Sequence, residues 1–128
     1  MRPIACGLVL AALLAGCSQG GEPPALPQAE DGTHHVAMRD ARFHPDEASV
    51  PQGATLRFIS EDGPHDVDVY KRGEEFGRFN SNNPPPDGLG RLIGQGEHFD
   101  VRLAEPGRYI VFCHTHHEEG MRMDILVK

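Results

Sequence analysis

The chain of 128 residues has the length of one small domain with a single core. It carries 19 acidic and 12 basic residues, a formal charge of −7 at pH 7, and no basic run that would indicate a nucleic-acid partner. This charge keeps a small domain soluble, and it also favours electrostatic steering toward a basic partner protein.

The N-terminus has the pattern of an export signal. Residues 4–15 form an apolar run that is too short to span a bilayer as a helix and has the length of a secretory core segment. The run ends in LAGC at Cys17, which resembles the bacterial lipobox, after which cleavage leaves a lipidated cysteine; an ordinary signal peptide is the alternative. We therefore expect residues 1–16 to be a lipoprotein signal peptide. The exported domain would be anchored to a bacterial membrane and face the periplasm or the cell exterior.

The next segment, residues 17–32, has no apolar periodicity and is rich in glycine, proline and acidic residues. Such a composition is typical of a flexible linker. We expect it to be a tether between the lipidated Cys17 and a folded domain over residues 33–128.

Short apolar stretches broken by turn residues begin after residue 33 and predict β-strands. The predicted strands are residues 36–39, 55–60, 67–70, 99–103, 109–112 and 123–127. Residues 71–96 fit this pattern poorly, and NSNNPPP at 80–86 predicts a loop. No window predicts a long amphipathic helix. An all-β sandwich of about seven to eight strands is therefore the expected fold class.

Cysteine usage is informative. Cys6 belongs to the predicted signal and Cys17 to the lipid anchor, so Cys113 is the remaining thiol. Exported domains normally pair their cysteines, and Cys113 has no partner within its domain. A lone thiol in an oxidising compartment favours a metal-bound thiolate.

The segment FCHTHHEEGM, residues 112–121, places soft metal ligands close together. Cys113 and His116 have the spacing C-x2-H, and His116 and Met121 have the spacing H-x4-M. Upstream, His65 stands at a turn that enters a predicted strand. Together these four side chains would make a His-Cys-His set with a weak thioether ligand, which is the arrangement of electron-transfer copper sites.

At these residues the chain resembles the cupredoxin family, nearest its plastocyanin and pseudoazurin branch. The matching stretches are FHP at 43–45, VPQG at 50–53, GPHDV at 63–67 and PGRYIVFC at 106–113, followed by His116 and Met121. The resemblance implies an eight-stranded Greek-key β-sandwich that holds one type 1 copper through His65, Cys113, His116 and Met121. It also implies one-electron transfer between redox proteins, with a cytochrome or a copper or haem enzyme as partner.

Periodicity alone does not decide between His116 and His117, because both lie in a loop. The spacing C-x2-H-x4-M is the plastocyanin-like one, so the resemblance favours His116 and implies an exposed His117 at the rim.

Two positions depart from the family pattern: Asp66 stands where asparagine is usual, and Thr115 where proline is frequent. Such neighbours of the ligands tune a metal site, so they concern the reduction potential more than copper binding.

The remaining candidates have simpler interpretations. His114 follows the cysteine on extended backbone, so its side chain should point away from the metal. Met123 is expected to pack in the core or at its rim. Four scattered histidines are interpreted as surface or turn residues; they are His34, His35, His44 and His98.

Spacing also separates rival metal sites. A binuclear copper-A centre needs a cysteine at position 117, where this chain has histidine, and a multicopper oxidase site needs a histidine at position 112, where it has phenylalanine. A copper nitrite reductase needs a second domain, for which the chain is too short. Structural zinc does not usually need the spacing H-x4-M.

We therefore predict a monomeric, membrane-tethered type 1 copper protein that carries single electrons and is not an enzyme. The alternative is a copper-binding or delivery protein, or a red-copper relative with an open coordination position, in which Glu61 or Glu118 takes part.

Overall fold

The computed structural model describes residues 21–72 and 92–128. The predicted signal peptide, Cys17 and residues 73–91 of the poorly matched loop lie outside the described residues. Across the described ranges, no helix is both long enough and apolar enough to cross a bilayer.

The described residues form short β-strands and one single-turn 3₁₀ helix, His117–Glu119. The strands are β1 (His34–Arg39), β2 (Arg42–His44), β3 (Glu47–Val50), β4 (Thr55–Ser60), β5 (His65–Asp66), β6 (Asp68–Lys71), β7 (Leu92–Ile93), β8 (His98–Arg102), β9 (Gly107–Phe112) and β10 (Arg122–Val127).

Two four-stranded sheets make up the fold, in the orders β2-β1-β4-β8 and β3-β10-β9-β6, and β5 pairs with β7 in a small third sheet. Both large sheets are mixed: β1 runs parallel to β4 and β3 parallel to β10, while the remaining pairs are antiparallel. This confirms the prediction of an all-β sandwich, with eight strands in its two large sheets.

The core lies between the two large sheets because alternate side chains of each strand point inward. In β4, Leu56, Phe58 and Ser60 are buried, while the residues between them are partly exposed. Phe58 meets Phe43 of β2 edge-on, with ring centroids 5.9 Å apart. From the other sheet, Val111 is fully buried in the same cluster. Burial of this apolar surface is the main stabilising contribution to the fold.

The β1–β2 hairpin turns through Asp40 and Ala41, which have φ angles of 55° and 53°. Two successive residues with positive φ are typical of the two-residue hairpin turns whose twist matches that of the strands. Arg39 and Arg42 pair directly across this turn. The hairpin matters for the site described below, because Asp40 donates its backbone N–H to a side chain there.

The six predicted strands are present, each with ends within two residues of those predicted. Strands β2, β3, β5 and β7 were not predicted. Each has two to four residues, too few for a periodic pattern to emerge, so they are defined by the neighbours with which they pair.

Part of the segment expected to be a flexible tether is packed on the domain. Ala25 forms a bridge with Ser49, and the hydrogen bonds Leu26 N–H to Ser49 O and Ser49 N–H to Pro24 O extend the sheet beyond β3. The Leu26 side chain is 9% exposed and joins the core cluster. Leu26 is the one large apolar side chain in this polar stretch, so it gives no periodic signal. The backbone hydrogen bonds of the segment nevertheless cover the edge of the sheet at β3. The domain boundary at residue 33 itself stays a prediction.

His34 is not the surface or turn histidine that was predicted. It lies in β1 with only 5% of its surface exposed, and its Nδ1 is 2.9 Å from the carbonyl oxygen of Leu26. The packed N-terminal segment buries it, which explains why the prediction was wrong. His35 and His98 are exposed on strands, and His44 is half-buried at the end of β2.

Candidate metal centre

Cys113 immediately follows β9, and the loop from it to Met121 leads directly into β10. The loop is closed by hydrogen bonds within itself: the Cys113 N–H donates to Met121 O at 3.2 Å, and the Met121 N–H donates to His116 O at 3.3 Å. Gly120 ends the single 3₁₀ turn with a left-handed φ of 83°, a conformation that glycine adopts without steric cost. Because β9 and β10 are hydrogen-bonded neighbours, both ends of this loop are firmly held.

His65 comes from a distant part of the chain. It begins β5, where it pairs with Ile93 of β7, and it is 2% exposed. Its Nδ1 is 4.0 Å from Cys113 Sγ, although 48 positions separate the two residues. The small third sheet therefore brings this histidine to the loop.

His116 completes the group. Its Nδ1 lies 3.6 Å from Cys113 Sγ, and its ring centroid lies 4.9 Å from that of His65. One ligand atom from each of the three residues lies within 4.8 Å of the others, a separation that allows all three to bind the same ion. Thiolate and imidazole ligands suit copper, so this donor set fits the predicted metal.

Met121 and Met123 are both fully buried. Met121 is hydrogen-bonded through its backbone to both Cys113 and His116, which places it at the base of the ligand loop. Met123 lies in β10 opposite Val111 of β9, and it belongs to the core as predicted.

His117 is exposed, as the resemblance implied. Its Nδ1 is 2.8 Å from the carbonyl oxygen of His114, so the ring is held on the outer side of the loop. It is not a member of the His65, Cys113 and His116 group. The structure thus favours His116 over His117 as the metal-facing histidine of this loop.

Asp66, the residue that departs from the family pattern, connects the two ligand segments. Its Oδ1 accepts hydrogen bonds from the backbone N–H of Thr115 at 3.1 Å and from the Thr115 hydroxyl at 3.2 Å. The Cys113 thiol also donates to this oxygen, at 2.9 Å. Metal binding removes the thiol proton and with it the last of these bonds, whereas the two bonds from Thr115 remain. A carboxylate therefore ties the loops together where the family usually has an amide.

The electrostatics of the site keep Cys113 protonated in the absence of metal. Burial raises the pKa of the Cys113 thiol to about 11, and the hydrogen bond to Asp66 adds to this effect. A carboxylate next to the sulfur and a dry environment both disfavour a second negative charge. A cation must replace the proton before the thiolate becomes the stable form.

Asp62 was not singled out in the sequence, yet it contacts a candidate ligand directly. One of its carboxylate oxygens, Oδ1, is 2.8 Å from Nε2 of His65. This hydrogen bond is the main reason that the pKa of Asp62 lies below its ordinary value, and the N–H of Asp40 adds to the effect. The only signal in the sequence is an acidic residue three positions before the histidine, at a turn.

His114 points away from the group, as predicted, and is 65% exposed. Its Nε2 lies 2.7 Å from Oδ2 of Asp68, which is 4% exposed and makes no hydrogen bond through that oxygen. The two atoms therefore have the distance of an ion pair without the angle of a hydrogen bond. Burial raises the pKa of Asp68, and the nearby His114 opposes that rise.

Neither carboxylate of the open-site alternative belongs to the group. Glu61 lies 3.1 Å from the guanidinium of Arg39, and Glu118 is exposed in the 3₁₀ turn. Within residues 21–72 and 92–128, the group of His65, Cys113 and His116 is the one cluster of at least three ligand-type residues with metal-binding separations.

Comparison with known proteins agrees with this geometry. Residues 31–128 match the sequence profile of the copper binding proteins of the plastocyanin/azurin family. The chain is 33% identical over 87 residues to the minor chloroplastic plastocyanin isoform of Arabidopsis thaliana, a match that covers 67% of this chain and 50% of that protein. The chain thus spans about half the length of this relative.

Solved structures show the same fold. Amicyanin of Paracoccus versutus has a TM-score of 0.59 at 19% identity, over 84% of this chain and 92% of that one. A mutant fern plastocyanin has a TM-score of 0.55 at 20% identity, over 73% and 99% of the two chains. The copper-containing nitrite reductase of Thermus scotoductus has a TM-score of 0.56 at 24% identity, over 75% of this chain but only 22% of the enzyme.

Proposed function

Because the chain belongs to the plastocyanin/azurin family of copper-binding proteins, we propose that it is a one-electron carrier with one type 1 copper. His65, Cys113, His116 and Met121 are the proposed ligands. The observation that carries the proposal is the convergence of His65, Cys113 and His116, with ligand atoms within 4.8 Å of one another. When bound, copper supplies the one-electron couple between Cu(I) and Cu(II).

The protein supplies a ligand frame that does not have to rearrange. Cys113 and His65 are buried and belong to hydrogen-bonded segments, and Asp66 ties those segments together through Thr115. Electron transfer is fast when little moves between the two oxidation states, and hydrogen-bonded partners of the ligands restrict such movement.

His116 is the proposed electron exit. It is half-buried, while His65 and Cys113 are buried, so of these three ligands its ring is nearest the surface. A redox partner that docks over His116 would approach the metal through one imidazole ring. The partners are proposed to be an electron donor and an electron acceptor protein, and the charge of −7 favours basic docking surfaces on them.

Voltammetry of the copper-loaded protein tests this function. A carrier should give a reversible one-electron wave and should reduce and reoxidise through many cycles without releasing copper. A delivery protein should instead pass its copper to a competing Cu(I) chelator at a rate comparable to that of reduction. Loss of copper on reduction would contradict the carrier proposal and favour the alternative.

We further propose that the domain is exported and tethered to a bacterial membrane through lipid on Cys17, with residues 1–16 removed as signal peptide. The sequence LAGC ending at Cys17 supports this. Several acyl chains hold a protein firmly at a membrane, whereas one chain gives marginal binding. The wild-type chain should sediment with membranes after expression in a Gram-negative host, and Cys17→Ala should abolish the lipid modification. Unmodified wild type in the soluble periplasmic fraction would contradict the tether.

A further inference from the structure

We propose that Asp62 is a positioning residue of the metal centre: it fixes His65 with Nδ1 toward the metal and lowers the reduction potential. This inference rests on the proposed function, because it assigns a role toward the copper held there. The observation behind it is the 2.8 Å contact between Asp62 Oδ1 and His65 Nε2.

The contact decides which nitrogen of His65 carries the proton. A carboxylate oxygen can only accept, so Nε2 must be the donor, and in the neutral ring Nδ1 is then the atom with the free lone pair. Nδ1 is also the nitrogen that lies 4.0 Å from Cys113 Sγ. Asp62 therefore selects the tautomer whose lone pair faces the candidate metal position, and it restrains rotation of the ring.

Asp62 is itself held from a second direction. Its Oδ2 accepts the backbone N–H of Asp40 at 2.7 Å, and Asp40 lies in the positive-φ turn between β1 and β2. At the other side of Asp62, the Ser60 hydroxyl donates to the carbonyl of Gly63 and closes the turn that contains Asp62. The carboxylate thus bridges the β1–β2 hairpin and His65, with one donor on each oxygen.

Only a carboxylate satisfies this arrangement fully. Both oxygens of Asp62 face donors, so an asparagine would have to turn its NH₂ group toward either Asp40 N–H or His65 Nε2–H. The negative charge has a further consequence. It makes the imidazole of His65 a stronger electron donor to a bound metal, and it therefore favours Cu(II) over Cu(I). The Asp62 side chain is 41% exposed, so solvent weakens this charge effect without removing the direct hydrogen bond.

The neighbouring Glu61 offers a matched control. Its side chain has nearly the same exposure, 44%, and its carboxylate pairs with Arg39 instead of a candidate ligand. Glu61→Gln removes one negative charge adjacent to Asp62 but leaves the His65 contact intact. Any effect of bulk charge on the potential should therefore appear in both variants, whereas an effect of the hydrogen bond should appear only at Asp62.

The test compares Asp62→Asn, Asp62→Ala and Glu61→Gln in the full copper-loaded chain by voltammetry. Asp62→Asn should shift the ratio of Cu(II) to Cu(I) affinity by about tenfold toward Cu(I), which raises the potential by about 59 mV for one electron. Asp62→Ala should shift it at least as far. It should also speed solvent exchange of the His65 Nε2–H, measured by ¹⁵N NMR of the diamagnetic Cu(I) form. Glu61→Gln should give less than a third of the shift.

Equal potentials in Asp62→Asn and wild type would overturn the inference, and so would equal shifts in Asp62→Asn and Glu61→Gln. If Asp62→Ala does not fold, Asp62→Asn decides, because its amide oxygen still accepts one of the two donors. Failure of the proposed function would look different. In that case wild type itself would lack the thiolate-to-copper absorption, whereas an intact absorption with unshifted potentials rejects only the role of Asp62.

Discussion

Cys113 has a pKa of about 11 in the metal-free protein, because it is buried and lies beside Asp66. A thiol that is protonated at neutral pH must release its proton when copper binds. At the scale of single residues, metal binding by this protein is therefore also a proton-release reaction.

This linkage predicts a pH dependence of copper affinity. The folded-state pKa of the thiol is raised, so the thiol stays protonated up to about pH 11, and each pH unit below that weakens binding. Between about pH 7.5 and about 9.5, below the raised pKa of the thiol, the apparent Cu(II) affinity should rise about tenfold per pH unit, because one thiol proton is released for each copper bound. Calorimetry in buffers of different ionisation enthalpy should report close to one proton released. A pH-independent affinity would mean that Cys113 is not a ligand.

The two adjacent histidines of the ligand loop should respond differently to truncation. His116→Gly should open the site and alter the visible spectrum, and added imidazole should restore it by taking the vacated position. His117→Gly should leave the spectrum unchanged, because that ring is held outside by the His114 carbonyl. Absorption spectroscopy of both variants decides the assignment. It would be wrong if only the His117 change destroyed the band.

The two buried methionines should also differ. Met121→Leu should retain copper and colour but raise the reduction potential, because a long, weak thioether bond is lost. Met123→Leu is the control: it replaces a core methionine by a residue of similar volume and should leave the potential nearly unchanged. Voltammetry of both variants is the measurement. The reverse result would place the thioether ligand at Met123.

At the scale of structural elements, the N-terminal segment contributes to the sandwich through Leu26, which is 9% exposed against β3. Leu26→Ala should lower the free energy of unfolding by about 2 kcal/mol, at the lower end of the range for buried leucines because the site is at the edge of the core. Leu92→Ala is a matched control, since Leu92 is 58% exposed and its loss should change stability by less than about 0.5 kcal/mol. Urea unfolding of both variants measures this. Equal effects would indicate that the segment is not packed in solution.

Periodicity was sufficient to predict the long strands but not the short ones. Residues 55–60 were predicted with the observed ends, because alternation over six positions is a strong signal. Strand β5 has two residues, and its existence depends on pairing with β7, 27 positions further along the chain. The sequence around β5 therefore cannot predict this strand, because a two-residue strand is defined by the distant segment with which it pairs.

The candidate site shows the same division. The sequence alone suggested the set of His65, Cys113, His116 and Met121 from local spacing and from the turn at His65. The family resemblance then favoured His116 over His117. The role of Asp62 could not be predicted, because it depends on the β1–β2 turn that presents the N–H of Asp40. Asp66 was recognised as a departure from the family, but only the structure shows that its carboxylate ties Thr115 to the β5 segment.

At the scale of the whole molecule, the candidate ligands come from two separate parts of the fold. His65 lies in the small sheet of β5 and β7, whereas Cys113, His116 and Met121 lie between β9 and β10. A metal bound there connects these parts directly and should stabilise the folded state according to its concentration and affinity. The fold thus brings a buried thiol and two imidazoles from distant parts of the chain into one group.

The visible spectrum after copper addition tests the central claim most directly. The chain lacking residues 1–17, mixed with an equimolar amount of Cu(II), should develop an intense thiolate-to-copper charge-transfer band. Cys113→Ser should abolish that band, because a serine hydroxyl stays protonated and is a poor copper ligand. A colourless one-to-one copper complex of the unmodified sequence would contradict the assignment of a type 1 copper site.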